Sequence, residues 1–215
     1  DLAQLVKQDS SAEYKGIMFY PGHIRMQQNC QEEGLEKVNS RLSKIIDSLA
    51  TAGSHPEIIS GGSTPTIWNS HKMGALTEIR SGTCIFYDVE DLHIGVAQSN
   101  EVAYSVVSSV VSTSIPGQAV IDAGSKALSK ESRGSDGAFG VILEHPEVRV
   151  KAVTEEHGVI DLSDSKWQPR VGETVRVLPS HVCVSANLQD SLIVMDGDDI
   201  EEWEMEARGR KIFEV

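Results

Sequence analysis

The chain combines two patterns of apolar and polar positions. Apolar residues recur at helical spacing in LAQLVKQ (2–8) and EEGLEKVNSRLSKIIDSLATAG (32–53), whereas GIMFY (16–20) and EIIS (57–60) are short apolar runs and a third strand-like segment begins at Thr77. The first pattern predicts helices and the second predicts strands. The order strand, helix, strand, short helix, strand is typical of parallel β-α-β units. We therefore expect an α/β fold in residues 1–92.

The pattern changes at about residue 93. Strand-like segments follow one another, separated by Gly, Pro, Asn and Asp turns; among them are QAVID, FGVILE, ETVRVLPSHVCVSANL, SLIVM and EWEMEARG. Only GSKALSK indicates a helical turn, and the acidic stretch 196–206 predicts an exposed hairpin. Residues 93–215 are therefore expected to form a mostly β domain. Three β/α units cannot close a barrel that needs eight, so the first part is predicted to be an open sheet or part of a barrel.

Charge and composition exclude several classes of partner. The 215-residue chain has a formal net charge of -13 and a pI near 4.9, so nucleic acid and anionic membrane surfaces would be repelled. A small molecule or another protein is the expected partner. No apolar run approaches the length of a membrane helix, no signal-peptide pattern is present, and the three cysteines give no disulfide framework. These features favour the cytoplasm.

The stretch ISGGSTPT (59–66) is the strongest candidate for a phosphate site. Two glycines after a strand let the backbone approach a ligand, and Ser63, Thr64 and Thr66 add hydroxyl groups at the start of the next helix. A tight strand-to-helix turn with a Ser/Thr cap explains the same residues. The stretch alone leaves both interpretations open.

His181 and Cys183 are the strongest candidate for a metal site. On a strand, residues two apart point to the same face, and imidazole with thiolate suits zinc. Because no CxxC pair is present to complete four protein ligands, such a site would keep an open coordination position, as catalytic metal sites do. The alternative is two buried neighbours. His23, at the end of the first strand, is suggestive by position, whereas TEEHG (154–158) and Lys126 are more typical of polar turns.

Taken together, FYPGH, ISGGSTPT, TEIRSGTCIFYD, VIDAGSKALS, TEEHG and LPSHVCVSANL followed by EWEMEARG resemble the successive motifs of the D-threonine aldolase and D-serine dehydratase family. The resemblance implies a fold-type III, alanine-racemase-like pyridoxal-phosphate enzyme, usually dimeric, with a divalent metal beside the cofactor. It implies that residues 1–92 are the last strands and helices of a TIM-type (β/α)8 barrel. Residues 93–215 would be the β-rich, metal-binding domain.

The resemblance also implies roles for particular residues. The cofactor phosphate would be held by Gly61, Gly62, Ser63 and Thr64, the cofactor ring would face Tyr20 and His23, and Zn²⁺ or another divalent metal would be held by His181 and Cys183. The His-x-Cys pair is similar to that of the D-serine dehydratases, which convert D-serine to pyruvate and ammonia. The aldolase branch, which cleaves D-threonine to glycine and acetaldehyde, generally has His-x-Asp.

The sequence departs from the family pattern in two places. Ser81 and Cys84 stand where the family usually has proline and tyrosine, so a tyrosine expected near the phosphate is missing. The Pro-His-x-Lys-Thr context of the Schiff-base lysine occurs nowhere. The resemblance therefore implies the C-terminal half of such an enzyme, forming a homodimer or completed by an N-terminal half, with a non-catalytic fragment or subunit as the alternative.

Overall fold

The computed structural model describes residues 2–133 and 137–206, which form two units. Among these residues, the first unit contains those up to Ile85 together with Asp91–Glu101, and the second contains Phe86–Glu90 together with those from Val102 onward. None of the helices in the described part of the chain has the length and apolar character needed to cross a membrane.

The first unit contains a three-stranded parallel sheet in the order β1-β2-β3. Its elements are α1 (Leu2–Gln8), β1 (Gly16–Met18), α2 (Glu32–Thr51), β2 (Ile58–Gly61) and β3 (Glu78–Ile79), with 3₁₀ helices at Gln28–Cys30, Thr64–Lys72, Thr83–Ile85 and Ser99–Glu101. The predicted order of strands and helices is thus confirmed. Parallel register places the carboxyl ends of all three strands at one edge, which is where Tyr20 and Gly62 follow their strands.

Apolar spacing on α2 explains the small core of this unit. Leu35 and Leu42 lie seven residues apart on one face of the helix, and both are buried. Leu35 packs with Ile24 and Met73, each almost fully buried. Contacts among these three residues hold together the segments that precede and follow β2 in the sequence.

The second unit is built around a closed barrel of six antiparallel strands in the order β4-β5-β8-β7-β6-β9. The strands are β4 (Val106–Ser112), β5 (Gln118–Ile121), β6 (Gly140–Ile142), β7 (His145–Val153), β8 (Gly158–Asp161) and β9 (Thr174–Pro179), and α3 (Val89–His93) and α4 (Ser125–Leu128) lie before β4 and after β5 in sequence. Alternate residues of the strands point inward, so Val148 and Val150 of β7 meet Ile160 of β8 in a fully buried core. The mostly β prediction is confirmed.

The prediction that LPSHVCVSANL is one continuous strand is wrong. The strand β9 ends at Pro179, and helix α5 (Val182–Leu188) begins after His181. Proline has no N–H to donate to a strand ladder, and Val182, Ser185 and Ala186 are buried at helical spacing. His181 and Cys183 therefore do not lie on one strand face, as the sequence had suggested.

The acidic stretch forms the predicted hairpin, made of β10 (Ser191–Asp196) and β11 (Asp199–Glu204). Every residue of β11 is exposed. Residues 207–209, the last part of EWEMEARG, lie outside the described residues.

Candidate metal centre and cofactor loop

Asp88 and His181 form the centre of the candidate metal site in the second unit. The imidazole Nδ1 lies 2.9 Å from Asp88 Oδ2, and the Val182 N–H donates to the same oxygen at 3.0 Å. Both side chains are buried, Asp88 at 1% and His181 at 8% exposure. The Asp88 carboxylate thus orients the imidazole. It also accepts a hydrogen bond from an N–H in the first turn of α5, where a helix offers no backbone carbonyl as a partner. With Nδ1 donating to Asp88, Nε2 is the nitrogen that would bind a metal, in exchange for its proton.

The Cys183 thiol lies close to the same imidazole. Burial by itself lowers the pKa of His181, but its hydrogen bonds with Asp88 and Cys183 outweigh this and raise the pKa to about 9. Cys183 is exposed and forms no disulfide. The structure therefore brings the two predicted metal ligands together through the start of a helix instead of a strand face.

A second carboxylate, that of Glu90, belongs to the same cluster. Asp88, Glu90 and His181 each offer a ligand atom, and these atoms all lie within 4.8 Å of one another. Arg133 Nη1 donates to Glu90 Oε2 at 3.0 Å, and Arg133 Nε donates to Glu131. The Glu90 and Arg133 side chains are only 14% and 23% exposed, so this ion pair is largely shielded from water.

Buried hydrogen bonds hold helix α5 in place. Ser185 Oγ donates to the Ala127 carbonyl at 2.6 Å and lies 3.0 Å from the Tyr104 hydroxyl. Ser185 is fully buried, and burial raises the pKa of Tyr104, which keeps that hydroxyl protonated. Because a helix held at one residue has a fixed rotation, these bonds also set the direction of Cys183 two residues earlier.

The predicted phosphate residues form a buried turn in the first unit. Gly61, Gly62, Ser63 and Thr64 are all buried. Gly62 has φ 95°, a conformation that side chains disfavour. The Ser63 N–H donates to Thr66 Oγ1 at 3.2 Å and the two hydroxyls lie 3.1 Å apart, so this serine caps the 3₁₀ helix Thr64–Lys72.

The neighbouring segment 80–84 contacts this turn. The Arg80 N–H donates to the Gly61 carbonyl at 2.8 Å, and the Cys84 N–H donates to Thr64 Oγ1 at 3.2 Å. Cys84 therefore lies next to the turn. It occupies the position at which the family pattern has a tyrosine. Tyr20, 70% exposed, follows β1 at the same sheet edge, and His23 is exposed in the next turn.

The motifs VIDAGSKALS and TEEHG meet where two stretches of backbone cross. A Cβ on Gly124 would overlap the Glu155 carbonyl and the His157 amide nitrogen. The Ser125 N–H donates to the Thr154 carbonyl at 2.8 Å, and Lys126 pairs with Glu156 at the surface. Both motifs thus anchor α4, the helix that in turn holds α5.

Sequence reasoning missed three site residues, namely Asp88, Glu90 and Arg133. Asp88 lies inside the quoted motif TEIRSGTCIFYD, and its position directly after apolar residues was the available signal. Its partner His181 is 93 residues away in sequence, and no local pattern carries that contact.

Comparisons with known proteins agree with this architecture. The family described as "Putative serine dehydratase domain" matches residues 103–195. An uncharacterized protein of Mycobacterium tuberculosis (strain ATCC 25618 / H37Rv) is 33% identical over 128 residues, covering 57% of this chain and 96% of that protein. The crystal structure of D-threonine aldolase from Filomicrobium marinum superposes with a TM-score of 0.82 at 26% identity, covering 97% of this chain and 56% of that chain.

A third relative is the D-threo-3-hydroxyaspartate dehydratase of Delftia sp. (strain HT23), which is 27% identical over 187 residues, or 79% of this chain and 49% of that enzyme. Solved variants of a D-threo-3-hydroxyaspartate dehydratase, 23% identical to this chain, replace a histidine and a cysteine that lie two positions apart, and the cysteine variant is described as the metal-free form. The chain spans about half the length of the curated enzymes it matches.

The fold is that of the alanine-racemase-like, fold-type III enzymes of the α/β class. Within that class, the chain belongs to the family of D-threonine aldolases and D-serine dehydratases, which confirms the resemblance carried by its motifs.

Proposed function

We propose that the chain is the metal-binding part of a pyridoxal-phosphate-dependent lyase that acts on β-hydroxy D-amino acids, converting D-serine to pyruvate and ammonia. The observation that carries the proposal is the oriented pair His181 and Cys183, with Asp88 bound to the imidazole Nδ1. The pair has the two-residue spacing of the histidine and cysteine replaced in the solved D-threo-3-hydroxyaspartate dehydratase variants. A cysteine at this position, where the aldolase branch generally has an aspartate, favours the dehydratase over the D-threonine aldolase activity of other relatives.

The residues present fit a zinc ion. An imidazole Nε2 and a thiolate are ligands that Zn²⁺ prefers, and Asp88 supplies the carboxylate that commonly orients a metal-bound histidine. The exposure of Cys183 leaves room for a small molecule beside the pair. A bound divalent cation supplies a Lewis acid for the β-hydroxyl group of the substrate.

The turn Gly61–Thr64 fits a phosphate group. Two residues without side chains bring bare backbone to the start of a helix, where N–H groups lack partners in the preceding turn. The 3.2 Å bond from Cys84 to Thr64 and the 2.8 Å bond from Arg80 to Gly61 hold the turn in shape. Bound pyridoxal phosphate supplies an electron sink for negative charge at the substrate Cα. Tyr20 and His23 would face its ring from the end of β1.

The remaining expectations follow from the family. Residues 1–92 would be the last strands of a TIM-type barrel, and residues 93–215 the dehydratase-like domain. A homodimer, or an N-terminal half that carries the Schiff-base lysine, would complete the site in the cytoplasm. The net charge of -13 supports a small D-amino acid as the partner in place of nucleic acid or membrane.

Metal and cofactor binding test this proposal. We expect the purified chain to bind one Zn²⁺ and His181→Ala and Cys183→Ala to lose it, whereas Cys30→Ser, which changes an exposed cysteine of the first unit, should retain it. Pyridoxal phosphate should bind to the chain, and Gly62→Ala should weaken binding because φ 95° disfavours a side chain. Equal zinc content in all of these proteins would refute the metal site.

The products identify the reaction. When the chain is supplied with an N-terminal half that carries the Schiff-base lysine, pyruvate from D-serine would support the dehydratase, and glycine with acetaldehyde from D-threonine would support the aldolase. A chain that holds the metal but yields neither product would be the non-catalytic subunit.

A further inference from the structure

The side chain of Gln31 links separate segments of the first unit. Gln31 stands immediately before α2 and is fully buried, at 0% exposure. Its Nε2 donates to the Met26 carbonyl at 3.0 Å and to the Pro65 carbonyl at 2.7 Å. Its Oε1 accepts from Asn69 Nδ2 at 3.0 Å. Both N–H groups and the carbonyl of this amide are therefore engaged in hydrogen bonds.

The partners of Gln31 fix the direction of its amide. A backbone carbonyl only accepts hydrogen bonds, so the NH₂ group of Gln31 faces Met26 and Pro65 and the amide oxygen faces Asn69. A buried polar group with all of its bonds made holds its neighbours in one arrangement, because any movement would leave buried partners unsatisfied. Gln31 is thus a rigid link between the segments that it contacts.

One of these bonds fixes a peptide group directly beside the phosphate turn Gly61–Thr64. The Pro65 carbonyl shares a planar peptide group with the Thr66 N–H. That N–H donates to the Ser63 carbonyl at 3.2 Å, and the Thr66 hydroxyl accepts from the Ser63 N–H at 3.2 Å. By holding the Pro65 carbonyl, Gln31 fixes the peptide plane to which the backbone of Ser63 is bonded.

The other N–H bond of Gln31 holds the loop that follows β1. This loop carries Tyr20 and His23, and Met26 lies three residues after His23. Ile24, between His23 and Met26, is fully buried, so the loop is also anchored by the core of the unit. Gln31 is therefore bonded on one side to the loop that would face the cofactor ring and on the other to the turn that would hold its phosphate.

We infer that Gln31 is a positioning residue for the cofactor, which sets the spacing between the phosphate turn and the loop that carries Tyr20 and His23; the inference rests on the proposed function of these two segments. A ligand that contacts both segments needs them at one separation. Gln31 establishes that separation before the ligand binds, which reduces the cost of ordering the site.

Two ligands distinguish the two ends of the site. Inorganic phosphate needs only the turn, whereas pyridoxine 5′-phosphate needs the turn and the loop, and it lacks the aldehyde that reacts with lysine side chains. Gln31→Met keeps a similar length but removes all of the hydrogen bonds of the amide. By titration calorimetry we expect affinity to fall about tenfold for pyridoxine 5′-phosphate and about threefold or less for inorganic phosphate.

Leu42→Ala is the matched control for lost stability. Leu42 lies on α2, about three helical turns beyond Gln31, and is buried, so its truncation leaves a cavity and lowers the unfolding midpoint. An apolar side chain donates no hydrogen bond to the loop or the turn. Leu42→Ala should therefore keep both affinities within about twofold of the unaltered chain. A Gln31→Met chain that behaves in the same way would overturn the inference.

Gln31→Glu is the second variant, for use if Gln31→Met does not fold. It keeps the side-chain length and an oxygen that can accept from Asn69, but it turns another oxygen toward the carbonyls of Met26 and Pro65. Repulsion between these oxygens should push the loop and the turn apart. We again expect affinity for pyridoxine 5′-phosphate to fall by about tenfold or more, with a smaller loss for inorganic phosphate.

The outcomes separate this inference from the function on which it rests. If Gly62→Ala weakens the binding of both ligands while the folded Gln31 variants bind them as the unaltered chain does, the phosphate turn stands and Gln31 does not position the cofactor. If the unaltered chain binds neither ligand, or if Gly62→Ala changes neither affinity, the proposed cofactor site fails and the role of Gln31 fails with it.

Discussion

Among the individual residues, His181 couples folding to pH. Its pKa of about 9 in the folded chain is above the ordinary value of 6.5, so between these values the folded state holds a proton that the unfolded state has lost. The resulting stabilisation is fully present below pH 6.5 and disappears as pH rises through about 9. We expect the free energy of unfolding of the metal-free chain to fall by about 1–3 kcal/mol across this range.

Urea unfolding on either side of the range checks this prediction. His181→Asn removes the titrating group and should flatten the pH dependence between pH 6.5 and 9. If the variant retains the slope of the unaltered chain, another group is responsible.

Gly124 is a residue at which even one added methyl group should lower stability. A methyl group there would meet backbone atoms of Glu155 and His157, which cannot move as a flexible side chain can. We expect Gly124→Ala to lower the free energy of unfolding by about 1–3 kcal/mol, the range of an overpacked buried position. Thermal unfolding measures the effect.

The neighbouring substitution Lys126→Ala is the control for Gly124. It removes only an exposed ion pair with Glu156, so it should lower the thermal unfolding midpoint far less than Gly124→Ala does. A larger loss from Lys126→Ala than from Gly124→Ala would show that the charged turn, and not the backbone crossing, is what the two motifs provide.

At the level of secondary-structure elements, α5 depends on the buried hydrogen bonds of Ser185. Ser185→Ala leaves the Ala127 carbonyl and the Tyr104 hydroxyl without this partner in a buried environment. We expect a loss of about 2–3 kcal/mol for this variant and about 1 kcal/mol for Tyr104→Phe, which leaves the bond to Ala127 intact.

A double-mutant cycle tests the coupling between these two side chains. Ser185→Ala combined with Tyr104→Phe should cost less than the sum of the single variants, because the second change removes a hydroxyl that the first had stranded. Strict additivity in chemical denaturation would mean that the two side chains act independently.

Helix α5 also shows how far the sequence can predict an element. Helix α2 follows from periodicity because its apolar residues at helical spacing determine which face is buried. The segment VCVSANL is as rich in apolar residues as a typical strand. It forms a helix because Pro179 ends β9 and because Asp88 accepts a hydrogen bond from the Val182 N–H. The second cause is a contact across 94 positions of sequence. The same reason explains why His181 and Cys183 could be predicted as a pair but Asp88 and Glu90 could not.

For the whole molecule, the division into two units makes metal binding a local source of stability. The candidate metal ligands His181 and Cys183 belong to the second unit, as do their neighbours Asp88 and Glu90, and the phosphate turn belongs to the first. A ligand that binds only the folded form adds about 2.7 kcal/mol to the free energy of unfolding at a concentration 100 times its Kd. We expect saturating Zn²⁺ to contribute this amount in the second unit.

Hydrogen exchange followed by mass spectrometry locates the effect. Peptides covering α5 and the barrel strand β9 should exchange more slowly when Zn²⁺ is added, whereas peptides covering α2 should not change. A chelator should reverse the protection, and His181→Ala should show none because it lacks the imidazole ligand. The described residues of the first unit contain no such cluster of ligand atoms. Equal protection of α2 and β9 would therefore mean that Zn²⁺ stabilises the chain through sites other than this cluster.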